Sequence, residues 1–290
     1  MQPKNKIDVL FLGSSHVHCN VNTQLLWDEY GMAAYLMTGA EQPLWNSYYN
    51  LKEALKTQKP KLVVLDMFCP SRFYDDFQPG WADENLDGMR ISLNKLEAVY
   101  TSVQEEQSHF FLGFTEYHSR YDQLTTEDFQ NFVWNRKTQE RWKGYTPLNR
   151  HAELTEPDMS HVTTSQEMTE KSKEYFEKIV ELTKKEGITL ALISGPYLLE
   201  ERDQEVYNSI GQLAEKDGLL FWNTNTPAHY REMGLDFSTD YADHAHLNEA
   251  GGAKYTAYLG KWLSQNYSFP DRRGQKGYES WENQLMKSGE

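Results

Sequence analysis

The chain has 290 residues, of which 39% are hydrophobic and 25% charged, a composition typical of a folded globular protein and not of a disordered one. Its formal net charge of −14 repels phosphate polymers, which argues against charge-driven binding to nucleic acid or to an anionic bilayer. No stretch approaches the roughly 20 apolar residues that span a bilayer, so we expect no direct membrane insertion by this chain. Cys19 and Cys69 are the two cysteines, too few for a disulfide framework, and their redox state stays open.

The first part of the chain alternates short apolar runs with helical segments. The apolar run from Ile7 to Leu12 predicts a central strand that feeds a tight turn at Gly13. The elements predicted next, in chain order, are a helix at 25–30, a strand at 33–37, a helix at 47–57 and a strand at 62–68.

The alternation stops at about 70–160, where aromatic, acidic and turn residues predominate, and we interpret this segment as an inserted cap. A helix is predicted to start near Ser165, because Thr164 and Glu167 have the spacing of a capping box. We expect the polar tail after Tyr267 to pack loosely or not at all. The later predicted elements are this helix up to Gly187, a strand at 189–193, a helix at 204–214, a strand at 219–222 and a last helix at 249–263.

Five strands separated by helices predict an α/β fold, a flavodoxin-like three-layer α/β/α sandwich around a central, mainly parallel five-stranded sheet. We expect one domain over 1–290, with the cap inserted and the tail at about 267–290. In such sheets ligands bind beyond the carboxyl ends of the strands. The segments that should lie there are Gly13 to Ser15, Gly39 to Gln42, and Cys69 with Pro70.

Ser15 stands at a predicted strand-to-helix turn, in the segment Gly13-Ser14-Ser15-His16. The amino terminus of a helix helps to stabilise developing negative charge, which suits a nucleophilic serine. Serine after glycine at a strand end is also a common turn or helix cap, so this segment alone does not distinguish the two interpretations.

Asp243 and His246 lie three residues apart on a loop before the last predicted helix. A serine nucleophile needs a base, and the base needs an acceptor that fixes its tautomer, and these two residues can supply both. The alternative for this loop is an Asx-type turn that caps the helix, with exposed histidines. His244 is a second candidate base, although it directly adjoins Asp243.

The two segments together resemble the SGNH (GDSL-like) hydrolase superfamily, in which the nucleophile stands at Gly-Asp-Ser after the first strand and Asp-x-x-His precedes the final helix. Gly13-Ser14-Ser15 matches the first block with Ser14 in place of the aspartate, and Asp243 to His246 matches the last. The resemblance covers 6–69 and 165–264. It is closest to the branch related to alginate acetyltransferases and teichoic-acid alanylation proteins.

This resemblance implies a serine esterase or O-acyltransferase that works through an acyl-enzyme, with Ser15, His246 and Asp243 as catalytic residues. It implies as substrate an acyl ester, acetyl in the first instance, of a carbohydrate or cell-surface glycan. No cofactor is needed for this chemistry. An extracytoplasmic or cell-envelope location is favoured, and the short polar lead Met1 to Asn5 before the first strand is what a trimmed anchor or signal would leave.

Two departures from the family pattern concern the oxyanion hole. The family's glycine that donates a backbone N–H falls at Gly39 or Glu41, and the family's Gly-x-Asn-Asp block is replaced by Phe68-Cys69-Pro70-Ser71, which supplies no asparagine. A side-chain amide elsewhere can replace the missing donor if it points at the forming oxyanion. The candidate donors are therefore Ser15, Gly39, Glu41, Gln42 and Asn46.

Within the cap, the segments 117–120 and 141–145 combine aromatic rings with cationic groups, which suit sugar rings or carboxylates. The other interpretation is that the aromatic residues hold the cap onto the sheet. The predicted substrate contacts are His16, His118, Arg120, Lys143 and Tyr197.

Two other functions stay open at this point. His16 and His18 could hold zinc together with Asp243, His244 and His246, although residues two apart on a helix point in different directions. A noncatalytic glycan-binding or assembly domain is the third possibility, and the missing asparagine block supports it.

Overall fold

The structure, a computed structural model, describes residues 2–72, 81–86, 88–104, 107–110 and 142–282. Within these ranges five parallel strands form one sheet in the order β2-β1-β3-β4-β5. This order, with helices on both faces, is that of a flavodoxin-like α/β sandwich, so the predicted fold class is confirmed. The strands are β1 Val9–Gly13, β2 Ala34–Thr38, β3 Leu62–Asp66, β4 Thr189–Ser194 and β5 Leu220–Asn223.

The sheet is covered on both faces, which explains why its central strands read as unbroken apolar runs. Every residue of β1 and β3 is buried. Because successive side chains of a strand point to opposite faces, Leu10 and Leu12 enter one hydrophobic cluster and Val9 and Phe11 enter the other. The core therefore consists of two layers, one on each side of the sheet.

The helices lie between the strands and after the last one. Along with the 3₁₀ turn Gln107–Phe110, they are α1 Ser15–His18, α2 Thr23–Tyr30, α3 Leu44–Leu55, α4 Phe68–Arg72, α5 Ala82–Leu86, α6 Leu93–Ser102, α7 Glu170–Glu186, α8 Glu201–Asp217, α9 Pro227–Met233, α10 Glu249–Asn266 and α11 Glu279–Glu282. None of the helices in the described ranges is both long and apolar enough to cross a membrane.

The predicted start of α7 at Ser165 is wrong by five residues. The helix begins at Glu170, where the hydroxyl of Thr169 accepts a hydrogen bond from the backbone N–H of Ser172 at 3.1 Å. The hydroxyl of Thr164 instead donates to the carboxylate of Glu205 at 2.6 Å, so it does not cap a helix. The spacing of Thr164 and Glu167 therefore matches a capping box by chance, and Thr169 is the residue that caps the helix.

The described parts of the predicted cap pack beside the sheet. Helix α6 contacts α3, and the amide of Asn94 donates to the carbonyl of Tyr49 at 3.0 Å. After the undescribed stretch, the backbone of Lys143 accepts a hydrogen bond from the N–H of Leu36 in β2 at 2.8 Å. Ala152 then forms an antiparallel bridge with Tyr241. The segment 142–154 thus connects the edge of the sheet to the loop before α10.

The tail between 267 and 282 is packed, and the prediction of loose packing is wrong there. Tyr278 is 3% exposed and Trp281 is fully buried. The guanidinium of Arg272 donates to both oxygens of Asp8 at 2.8 and 2.9 Å. Two buried aromatic side chains and a bidentate ion pair are enough to hold this segment against the fold, although its sequence shows no helical periodicity.

Candidate active site

Ser15, His246 and Asp243 form a continuous chain of hydrogen bonds. The Oγ of Ser15 lies 2.7 Å from Nε2 of His246, and Nδ1 of the same ring lies 2.8 Å from Oδ1 of Asp243. These are the contacts that connect a serine nucleophile, its base and the carboxylate that orients the base. The structure therefore brings together the three residues that the sequence predicted, from opposite ends of the chain.

The turn that carries Ser15 is fixed by the end of β1. Gly13 has a φ of 155°, and a Cβ added there would lie 2.5 Å from the Cβ of Asp66. The hydroxyl of Ser14 accepts a hydrogen bond from the N–H of His16 and so caps α1. Ser15 is consequently the first residue of α1.

A buried carboxyl group lies under this turn. Asp66, the last residue of β3, is 3% exposed, and it accepts hydrogen bonds from the hydroxyl of Ser14 at 3.2 Å and from the N–H of Phe68 at 3.3 Å. Burial raises the pKa of Asp66 to about 7, against the lowering effect of these hydrogen bonds. Ser14 stands where the resembled family has an aspartate, and here a carboxyl group from a neighbouring strand contacts that position.

The loop of Asp243 and His246 is held by its own backbone. The N–H groups of Ala245 and His246 donate to Oδ1 of Asp243 at 2.9 and 3.0 Å. The Asx-type turn that was the alternative to catalysis is thus present, and the same carboxylate also holds the imidazole of His246. The cap of α10 is Asn248, whose side chain accepts from the N–H of Gly251. His244 is exposed, and it is His246 that contacts the serine.

Arg150 binds the other oxygen of Asp243. Its Nη2 lies 2.8 Å from Oδ2, and its side chain is 65% exposed. Burial acts to raise the pKa of Asp243, but the N–H of Ala245, the imidazole of His246 and the guanidinium of Arg150 outweigh burial and lower it below the usual value. The carboxylate is therefore ionised at neutral pH, the state that stabilises an imidazolium.

Two of the predicted oxyanion donors, Gly39 and Gln42, already donate hydrogen bonds within the fold. The N–H of Gly39 donates to the carbonyl at the end of β1 at 3.4 Å. The amide of Gln42 is buried and donates to the hydroxyl of Ser47 at 3.0 Å. Asn46 faces α6, where its Oδ1 accepts a hydrogen bond at 2.6 Å from a serine hydroxyl. The prediction for Gln42 is wrong because its amide donates within the fold, to the carbonyl of Met37 and the hydroxyl of Ser47, and Asn46 is only 3% exposed where α3 packs on α6.

Two backbone N–H groups remain of the predicted donors. Glu41 has a φ of 44°, and neither its N–H nor that of Ser15 donates a hydrogen bond within the described part of the chain. The turn before Glu41 is held by Asn85, whose amide donates to the carbonyl of Ala40 at 2.8 Å. A Cβ on Gly39 would lie 2.2 Å from Oδ1 of Asn85, so this close approach requires glycine.

His16 and Tyr197 lie beneath the site and offer no surface to a substrate. The ring of His16, 2% exposed, stacks on Phe68 with centroids 3.6 Å apart, and Tyr197 meets its edge at 4.9 Å. Burial, and then the nearby His246, lower the pKa of His16 well below its usual value, so its imidazole is neutral. The predicted substrate contacts of His16 and Tyr197 are therefore wrong: both support the floor under the site.

The backbone of Lys143 lies along the edge of β2 beside Leu36, and its side chain packs against the C-terminal segment. It is 1% exposed, and its ammonium is 3.0 Å from the hydroxyl of Ser280 and 4.4 Å from the ring centre of Trp281. The indole of Trp281 donates to the carbonyl of the first residue of β2, away from the catalytic edge. The predicted substrate contact of Lys143 is wrong because its cation is used inside the fold. The two other predicted contacts, His118 and Arg120, lie outside the described residues.

His18 and His16 diverge, which removes the basis of the zinc alternative. Nδ1 of His18 lies 3.1 Å from the hydroxyl of Thr38, whereas His16 is in the core. Burial, followed by His246, lowers the pKa of His18 to about 4. Across the described ranges, no three or more His, Cys, Asp or Glu residues are grouped so that they could hold a metal ion.

Several residues that build the site were missed by the sequence analysis. Arg150 falls in the irregular segment that we interpreted as a cap, where no periodicity of apolar residues indicates which way a side chain points. Asp66 had a signal, since a carboxylate at the end of a buried apolar run needs a local partner. Asn85 had none, because its contact with the Gly39 turn exists only in three dimensions.

No protein-family profile matches the sequence, and no curated protein aligns with it significantly. One solved structure to which the chain is similar is that of a proposed acylhydrolase from Bacteroides fragilis NCTC 9343. The two superpose with a TM-score of 0.44 and 13% sequence identity, over 91% of this chain and 90% of that chain. So distant a likeness carries no argument about activity.

Proposed function

We propose that the protein is a serine-dependent esterase or O-acyltransferase acting on acyl esters, acetyl in the first instance, of a carbohydrate or cell-surface glycan. The observation that carries the proposal is the pair of contacts from Ser15 to His246 at 2.7 Å and from His246 to Asp243 at 2.8 Å. If Ser15 were only a turn or cap residue, its hydroxyl would need no contact with the imidazole of His246. If His246 were only an exposed histidine, it would need no contact with the ionised carboxylate of Asp243.

In the proposed reaction, His246 takes the proton from the hydroxyl of Ser15 while Oγ attacks the ester carbonyl. The carbonyl π bond breaks and its electron pair moves to the oxygen, where the N–H groups of Ser15 and Glu41 are the available donors. The tetrahedral intermediate collapses, the C–O bond to the alcohol breaks, and the imidazolium of His246 protonates the leaving alcohol. Water or a sugar hydroxyl then takes the acyl group from Ser15 by the same steps in reverse order.

The two backbone donors set an expectation for the rate. Loss of one oxyanion donor costs about 100- to 1000-fold in kcat in serine hydrolases. With Gln42 and Asn46 engaged in packing, we expect slow hydrolysis of small esters, and faster transfer to an acceptor that the site binds.

The test compares the wild type with Ser15→Ala and His246→Ala on a small acetyl ester and with a fluorophosphonate probe. We expect kcat to fall at least 1000-fold in both variants, and the probe to label the wild type but not Ser15→Ala. Ser264→Ala, which removes an exposed hydroxyl on α10, is the matched control and should behave as the wild type. Equal rates in all proteins, or an unlabelled wild type, would contradict the proposal and favour a noncatalytic glycan-binding domain.

A further inference from the structure

A cleft of about 550 Å³ opens beside Ser15 on the β2 side of the sheet. It lies close to the nucleophile, because His18 follows Ser15 by three residues on α1 and Thr38 pairs with Gly13 across β1 and β2. None of the three catalytic residues lines it, so it adjoins the reacting atoms without containing them. Its volume is within the range of small-ligand sites, roughly 300 to 1000 Å³.

The lining of this cleft is polar and carries little charge. Within the described residues no lysine or arginine lines it. The carboxylate of Glu53 is neutralised by Lys56, which leaves Glu84, exposed and without an ion pair in the described ranges. The polar side chains that line it include those of His18, Asn50, Glu53, Glu84 and Asn85.

Asn85 presents an acceptor that lacks a donor. Its amide nitrogen donates to the carbonyls of Ala40 at 2.8 Å and Trp81 at 2.9 Å, which fixes the orientation of the amide. Its Oδ1 is then buried beside Gly39 with no hydrogen-bond partner among the described residues. A buried polar atom without a partner costs about 1 to 3 kcal/mol, which a donor on a ligand would recover.

His18 offers a second polar group that suits a hydroxyl. Its Nδ1 contacts the hydroxyl of Thr38, and its Nε2 makes no hydrogen bond within the described part of the chain. The imidazole is neutral because burial lowers its pKa to about 4. A neutral imidazole can accept from or donate to a hydroxyl, but it does not attract an anion as an imidazolium does.

We infer that this cleft binds the uncharged, hydroxyl-bearing part of the substrate, a neutral sugar unit, and selects against anionic sugars. The inference deepens the proposed function, on which it rests, by naming the substrate class. Sugar hydroxyls can donate to Oδ1 of Asn85 and can either donate to or accept from Nε2 of His18, whereas a carboxylate or phosphate would meet the acceptor of Asn85, the charge of Glu84 and the −14 charge of the chain. The acceptors come from three different helices, α1, α3 and α5, an arrangement that suits the several hydroxyls of a sugar unit better than a single ammonium.

The test measures binding to Ser15→Ala by isothermal titration calorimetry with three trisaccharides of equal length: cellotriose, tri-galacturonic acid and tri-glucosamine. We expect cellotriose to bind at least tenfold more tightly than the uronic acid, and tri-glucosamine to bind no more tightly than cellotriose. Tighter binding of either charged sugar, or no binding of cellotriose, overturns the inference.

Charge reversal assigns the binding to the cleft. Glu84→Lys should raise the affinity for tri-galacturonic acid at least fivefold, whereas Glu215→Lys, an exposed position on α8, should leave it unchanged. The same response in both variants would place the sugar elsewhere and overturn the inference. Fluorophosphonate labelling of the wild type separates the two claims. A labelled protein that binds no cellotriose would contradict the inference about the sugar alone. An unlabelled protein that binds cellotriose would contradict the proposed reaction of Ser15.

Discussion

Asn20 accepts a hydrogen bond from the backbone N–H of Leu247 through its side-chain oxygen, at 3.1 Å, across 227 positions of the chain. Its carbonyl in turn accepts from the hydroxyl of Thr256 on α10 at 3.1 Å. Asn20 is fully buried and follows α1 by two residues, while Leu247 follows His246 directly. This contact therefore sets the distance between the segment of the nucleophile and the loop of the base.

Asn20→Ala should separate these two segments. We expect kcat on a small acetyl ester to fall about 10- to 100-fold with little change in KM, because a misplacement of about 1 Å costs up to 100-fold. The control is Asn94→Ala, which removes another buried asparagine whose amide bonds a carbonyl in α3. It should lose comparable thermal stability without the loss of kcat, and an equal loss of kcat in both would mean that Asn20 acts only through stability.

Arg150→Ala should weaken the hold on Asp243. The pair is 2.8 Å apart but its guanidinium is exposed, so the contact is worth about 0 to 1 kcal/mol, and we expect kcat to fall about 2- to 5-fold. The difference from the wild type should shrink in 1 M NaCl, because salt screens exposed pairs. Carbon-13 NMR should show the pKa of Asp243 moving up towards its usual value, since one of the groups that lower it is gone.

Arg150→Lys keeps the charge and should retain most of the activity. Arg231→Ala removes an exposed arginine on α9 and serves as the matched control for loss of charge. A salt-independent loss of activity in Arg150→Ala would show that the guanidinium contacts the substrate and does not act through Asp243.

Asp66→Asn should change how stability depends on pH. The pKa of Asp66 is about 7 in the fold and that of an unfolded aspartate is about 4, so the folded state binds more protons between these values. The free energy of unfolding therefore falls as pH rises from about 4 to 7, and the contribution of this group levels off above that. Urea unfolding of the wild type and the variant between pH 4.5 and 8 measures the difference, which we expect to reach roughly 2 to 4 kcal/mol.

The groups around Asp66 keep this titration readable. Burial raises the pKa of Cys69 and of Tyr207 and lowers that of His16, so none of the three titrates in the same range. Parallel stability curves for the two proteins would show that Asp66 is ionised throughout.

Patterns that repeat along the chain predicted the scaffold. Strands β1 and β3 are buried on both faces, so each appears in the sequence as an apolar run bounded by a turn. Such a run can be recognised without knowing which strands pair with it. The arrangement of Asp243 and His246 was predictable for a similar reason. The Asx-type turn and the contact with the imidazole both form between residues three positions apart, so they depend on a short stretch of sequence.

The direction of side chains in irregular segments was not predictable. Lys143 lies in a segment whose mixture of aromatic and cationic residues is typical of a ligand site. Its backbone φ of 54° and its contact with the ring of Trp281 nevertheless direct its cation into the fold. Tyr197 follows the carboxyl end of β4, where residues commonly line a ligand pocket. Its hydroxyl nevertheless lies 3.1 Å from that of Tyr207 in the core. Residue type indicates what a group can bind, whereas only the tertiary contacts decide what it does bind.

Gly39→Ala should disrupt the turn that presents Glu41, because the new Cβ would lie 2.2 Å from Oδ1 of Asn85. We expect kcat/KM on a small acetyl ester to fall at least 30-fold. Gly211→Ala is the control: its Cβ would meet its nearest neighbour at 4.0 Å inside α8, so the variant should be fully active and slightly more stable.

A double-mutant cycle separates the steric cause from loss of glycine flexibility. Asn85→Ala removes the atoms that the new Cβ would strike, at the cost of the hydrogen bond to Ala40. In that background Gly39→Ala should cost less than threefold in kcat/KM, since the two residues interact directly and their effects are not additive. An undiminished 30-fold loss in the double variant would show that the backbone freedom of Gly39, and not its contact with Asn85, shapes the turn.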